Sequence, residues 1–145
     1  MNEGDCGSSD SPKISLSQVS VHPANVKGSW SIVWRVENLN QDSLRLNTAQ
    51  FPHGQFKAVE QRFQPPIVVE PGESTRFEAT VACPELAGTV VENAFVVFSA
   101  IWLDSPWRIF ARLRVVVDAE GKPMTLTESI TTQQVGFSTE FQSES

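Results

Sequence analysis

Trp30-Ser31-Ile32-Val33-Trp34-Arg35-Val36-Glu37-Asn38 is the stretch on which the fold turns. Trp30, Ile32, Trp34 and Val36 take every second place, and Ser31, Val33, Arg35 and Glu37 stand between them. Successive side chains of an extended chain point to opposite faces, so a period of two describes a strand with one face in a core and one in water. The alternation returns over residues 75–81, where Thr75, Phe77, Ala79 and Val81 share a face, and over residues 108–117. No stretch holds a helical period over the roughly ten to twelve residues a helix needs.

Outward from that strand, turn chemistry divides the chain. Residues 14–21 alternate loosely, with a phase shift between Leu16 and Val19 that predicts a bulge or a kink. Leu44, Leu46 and Thr48 share a face, and Phe51-Pro52-His53-Gly54 interrupts them. Residues 56–63 read as a short strand or one helical turn. Pro65 and Pro66 cannot donate to a ladder and confine residues 67–69 to an edge. Pro71-Gly72-Glu73 suits a type II turn. Residues 90–103 form a long strand, which Asp104-Ser105-Pro106 turns into residues 108–117 as the partner of a hairpin. Residues 124–137 are Thr-rich and extended. Seven to eight short strands at this spacing predict an all-β, antiparallel β-sandwich.

A chain of 145 residues is one domain by length, with core enough to fold unstapled. Residues 1–13 are small, polar and acidic, and they predict a disordered tail, as do residues 138–145. The sandwich then spans 14–137. A net charge of −6 argues against nucleic acid, whose phosphates need clustered Lys and Arg. It argues equally against an anionic membrane surface. The most apolar stretch, residues 94–103, is half the roughly twenty residues of a spanning helix. Residues 1–11 hold no apolar leader segment, so the expected setting is the cytoplasm, or outside it if a leader has been removed. Cys6 sits in the tail and Cys83 before Pro84; this placement predicts two free thiols.

Three groups of residues carry a family resemblance. They are Trp34-Arg35-Val36-Glu37-Asn38 with the polar turn after it, Val69-Glu70-Pro71-Gly72-Glu73 before the Phe77 strand, and the closing hairpin of residues 95–103 and 108–117. Together, over residues 14–118, the layout resembles prokaryotic immunoglobulin-like domains of the cell-adhesion-related (CARDB-like) kind. That resemblance implies an immunoglobulin-like sandwich and a role in adhesion or interaction. The Trp-Arg-x-x-Asn element is also similar to the four-tryptophan domain of selective-autophagy receptors, but the tryptophan expected soon after that asparagine is missing and the region reads Ser43-Leu44. Such motifs encode a fold and say little of activity.

No catalytic arrangement emerges. His22 precedes a proline and His53 lies in a Pro-His-Gly turn, neither spaced from a nucleophile as a triad requires. No Cys-x-x-Cys or His-x-x-x-His pair proposes zinc, and no phosphate loop proposes a nucleotide. Asp118-x-Glu120-Gly121 reads as a hairpin turn in preference to a calcium loop. The expectation is a non-enzymatic chain with no metal and no cofactor.

Residues 94–103 break the pattern, because both faces are apolar: Phe95, Val97, Ile101 and Leu103 on one, Ala94, Val96, Phe98, Ala100 and Trp102 on the other. A half-buried antiparallel strand should show one. Either residues 124–137 or 56–63 cover the second face, or a partner does. The next strand sets Arg108, Arg112 and Arg114 in one stripe with Phe110 among them. Those arginines pair with Glu37 or Glu92 across strands, or meet an acidic partner or the chain's own acidic tail. The expected interaction surface is Phe98, Trp102, Trp107, Arg108, Phe110, Arg112 and Arg114. Its expected use is self-association or binding of a protein partner; the alternative is a carbohydrate or polymer stacked on the tryptophans around Asp104.

Overall fold

A computed structural model describes residues 11–136. Eight strands follow in chain order: β1 (Ile14–Pro23), β2 (Ser29–Asn38), β3 (Leu44–His53), β4 (Phe56–Val69), β5 (Ser74–Ala82), β6 (Val90–Trp102), β7 (Ser105–Val117) and β8 (Pro123–Gln134). The fold is all-β and every pairing is antiparallel. The strands form one sheet of order β1-β2-β5-β4-β3-β6-β7-β8. Among the described residues no helix is long and apolar enough to cross a membrane.

The sheet rolls until its first and last strands meet, so it is nearly a closed barrel instead of two clearly separate sheets. Bulges provide the bending. They interrupt β1 between Gln18 and Ser20, β3 between Leu46 and Thr48 and between Ala49 and Phe51, and β6 between Val91 and Ala94. The first is the phase shift predicted in residues 14–21. Two seams remain weakly joined. β4 and β5 share one residue pair, Lys57 with Ala82. At the other seam β1 meets β8 through side chains: Gln18 Nε2 donates to the Pro123 carbonyl at 3.1 Å, the Thr125 amide donates to Gln18 Oε1 at 2.8 Å, and the Thr127 hydroxyl donates to the Leu16 carbonyl at 2.8 Å.

Alternation sends the expected residues inward. Trp30, Ile32, Trp34 and Val36 of β2 lie opposite Val81, Ala79, Phe77 and Thr75 of β5, rung by rung. Trp34 packs on Phe51 and Phe56, with ring centroids 5.9 and 6.3 Å away. Phe63, Phe77 and Phe98 form a second aromatic chain through edge-on contacts at 5.3 and 5.8 Å. Residues 56–63 are therefore strand, and Phe56 and Phe63 face the core. Residues 124–137 do not cover β6: the described part, β8, lies beside β7 in the same sheet.

Two turns differ in how far local chemistry determines them. At Pro71-Gly72 the Glu73 amide donates to the Glu70 carbonyl at 3.0 Å and Gly72 takes φ +75°, the positive value that position i+2 of a type II turn requires. The β6–β7 turn, by contrast, is not Asp104-Ser105-Pro106. Its central residues are Leu103 and Asp104, at φ +52° and +61°, with Trp102 paired to Ser105. A two-residue loop with both φ values positive matches the right-handed strand twist. The polar loop 118–122 is a turn held by Asp118, whose Oδ1 accepts from the amides of Glu120 and Lys122 at 2.9 and 2.8 Å.

Candidate interaction face

The antiparallel register of β6 and β7 decides which residues reach the outside. Phe98 lies opposite Ile109, and Ala100 opposite Trp107, both inward pairs. Val97 lies opposite Phe110, Phe95 opposite Arg112 and Ser99 opposite Arg108, all outward. The seven residues expected as one surface therefore divide. Arg108, Phe110, Arg112 and Arg114 face out, as predicted. Phe98 and Trp102 are buried at 0% and 5% exposure, which corrects their placement. Trp107 is half-buried against the core, its ring edge-on to Trp102 at 6.1 Å. The two indoles cap the end of the core, so the free stacking platform expected for a carbohydrate is not formed there. A charge at Phe98 or Trp102 would unfold the domain and report nothing about a surface.

The outward face of β6, β7 and β8 is built of alternating rungs. Val90, Val116 and Met124 form one across three strands, with exposures of 42%, 41% and 45%. Arg114 and Leu126 form the next, and Leu126 is 64% exposed. Then come Phe95 with Arg112, Val97 with Phe110, and Ser99 with Arg108. The valines, Phe95, Met124 and Leu126 extend the surface beyond the predicted residues. Two arginines have acid partners, as expected in kind: Arg114 reaches Glu92 at 3.3 Å and Arg112 reaches Glu128 at 3.8 Å. Glu37 instead pairs with Arg35 at 3.8 Å. Arg108 has no carboxylate partner among the described residues. The acidic tail expected near these arginines lies outside the described residues.

Beyond Arg108 the face dips. Thr48, Gln50, Glu60, Arg62, Ser99 and Arg108 line a shallow groove of about 250 Å³ across β4, β3, β6 and β7. A larger recess, about 600 Å³, opens at the end of the barrel between the β1–β2, β5–β6 and β7–β8 loops. Trp30, Cys83 and Pro84 line it, and the exposed Val26 and Leu86 stand at it. Gly28 keeps the loops close there: at φ +85°, a Cβ on it would lie 2.9 Å from Pro84 Cβ. Cys83 is a free, buried thiol. Burial pushes its pKa up, and the Glu85 carboxylate pushes it further, against a backbone hydrogen bond at Glu85 that lowers it. A thiol kept protonated is a poor nucleophile and a poor metal ligand. Cys6 lies outside the described residues.

His53 is spent on its own turn, its Nδ1 accepting from the Gln55 amide at 3.0 Å. Among the described residues no three His, Cys, Asp or Glu side chains gather as a metal site. No protein-family model matches this chain, and no curated protein matches it either.

Proposed function

We propose that this chain is a non-catalytic interaction module, an immunoglobulin-like β-sandwich that binds through the outer face of β6, β7 and β8. The sandwich reading rests on the two weak seams, which divide the strands into β1-β2-β5 and β4-β3-β6-β7-β8. In chain order these groups run like the A-B-E and C′-C-F-G strands of an immunoglobulin-like domain, with β8 added, and that likeness supports the reading. The CARDB-like resemblance supports the same reading, since it implies an adhesion or interaction domain.

One observation carries the binding face: its apolar rungs lie open between arginine rungs. Sheet faces turned to water are polar, and the solvated face of β5, with Arg76, Glu78 and Thr80, is of that kind. On β6–β8 the composition is instead that of an interface, with Phe, Met and Arg enriched. The first partner to test is a second copy of the chain. At roughly 0.1 mM, a concentration that populates micromolar dimers, sedimentation should show a dimer. Val116→Asp and Leu126→Glu should sediment as monomers with unchanged circular dichroism, since both side chains are exposed. A wild-type chain that stays monomeric there removes self-association and leaves a different protein as the partner.

A further inference from the structure

We propose that the groove between β4, β3, β6 and β7 recognises a carboxylate of an acidic peptide segment; the inference rests on the reading of this face as the binding face and names its partner's chemistry. The groove lies where β3 is bulged between Leu46 and Thr48, on its run between β4 and β6. Thr48, at 8% exposure, is sunk into its floor, with Ser99 beside it on β6. Arg108 stands on one wall. Its neighbours across the sheet, Ser99 and Gln133, are neutral, and no described carboxylate pairs with it, unlike Arg112 and Arg114. Arg62 stands on the other wall and meets Glu60 of its own strand at 3.8 Å only. Glu60 in turn accepts from Gln50 Nε2 at 3.2 Å.

Two guanidinium groups, two hydroxyls and one carboxylate thus line a single depression, with one positive charge in excess. Guanidinium forks and hydroxyl donors match the planar, acceptor-only carboxylate. The size fits one side chain, since drug-sized ligands need upwards of roughly 300 Å³. A long polyanion is disfavoured by the chain's net charge of −6, whereas a short acidic segment meets a locally positive site. The Val97–Phe110 rung beside the groove offers apolar contact to the residues flanking that carboxylate.

An acetylated, amidated hexaglutamate peptide is the probe and hexaglutamine its control, followed by amide nuclear magnetic resonance shifts in the full chain. Hexaglutamate should shift Gln50, Ser99 and Arg108 saturably, and hexaglutamine should not. Arg108→Gln and Arg62→Gln should each weaken binding about tenfold, as loss of a charge-assisted pair does. Arg112→Gln and Arg114→Gln should change it little. Absence of a saturable shift, equal binding of hexaglutamine, or equal weakening by all four arginine variants overturns the proposal. Sedimentation of Val116→Asp reads the apolar rungs separately: dissociation there with no effect of Arg108→Gln on hexaglutamate binding rejects the groove and keeps the face.

Discussion

Asn38, fully buried at the end of β2, joins three segments of chain. Its Nδ2 donates to the Val69 carbonyl at 2.8 Å and to the Asp42 carbonyl at 2.9 Å, while its Oδ1 accepts from the Asn40 amide at 2.8 Å. A buried polar group is tolerated only when its partners are in place, and here each is. The sequence marks Asn38 as turn material after a strong strand, and nothing in its neighbours names the distant partner Val69. Asn38→Ala strands the Val69 carbonyl in the interior and should cost about 2 kcal/mol, the penalty of an orphaned buried group. Urea titration measures it; a loss below roughly 0.5 kcal/mol, the floor for a net hydrogen bond, would show that the carbonyl finds another donor. Arg108 makes the same point outside the core. Its residue type was legible, but its want of an acid partner depends on which strands lie beside it.

At the scale of elements, one residue of turn placement decides a whole face. A three-residue turn at Asp104-Ser105-Pro106 would set Leu103 opposite Trp107 and put Phe98 on the same face as Arg108 and Arg112. The observed two-residue turn at Leu103-Asp104 shifts the pairing by an odd number and sends Phe98 inward with Ile109. A strand's period is two, so an odd slip exchanges its faces. Type I′ loops announce themselves through Asn-Gly or Asp-Gly, and Leu-Asp carries no such signal. The β1–β8 seam is an element-scale feature of the same kind. Gln18 there supplies with one side chain the donor and acceptor that a backbone rung would. Gln18→Ala should leave the fold intact and loosen this seam by about 1 kcal/mol, the worth of a typical hydrogen bond. The Thr125 amide should then exchange with deuterium several-fold faster; unchanged exchange would mean that the seam is held by packing alone.

For the whole molecule, the question is whether two weak seams make two independent halves. They do not, because one core serves both. Trp34 and Phe77 from the β1-β2-β5 side meet Phe51, Phe56, Phe63 and Phe98 from the other. Neither half can keep its inner face dry without the other. Unfolding in urea should therefore be a single transition. Trp30 and Trp34 report on β2, while Trp102 and Trp107 report on β6 and β7 across the core, so tryptophan fluorescence and far-ultraviolet circular dichroism should coincide. An early fluorescence phase would reveal a half that unfolds alone. The open apolar rungs belong to this scale too: they stay uncovered because β8 lies beside β7 instead of crossing over it.

Local rules in the chain suffice for much of this protein. The alternation of Trp30, Ile32, Trp34 and Val36, the Pro71-Gly72 turn and the bulge in β1 follow from side-chain parity and backbone sterics within a few residues. Those rules predict an all-β chain of seven to eight strands and name most of its core. They do not say which of two apolar faces on β6 is inside, that β4 and β3 leave a groove, or that Arg108 faces into it. These depend on register, and register is set by pairing between residues far apart in the chain. Only the rolled sheet brings Thr48, Arg62 and Arg108 together in one groove, because they stand on three strands that pairing alone gathers in one part of the sheet.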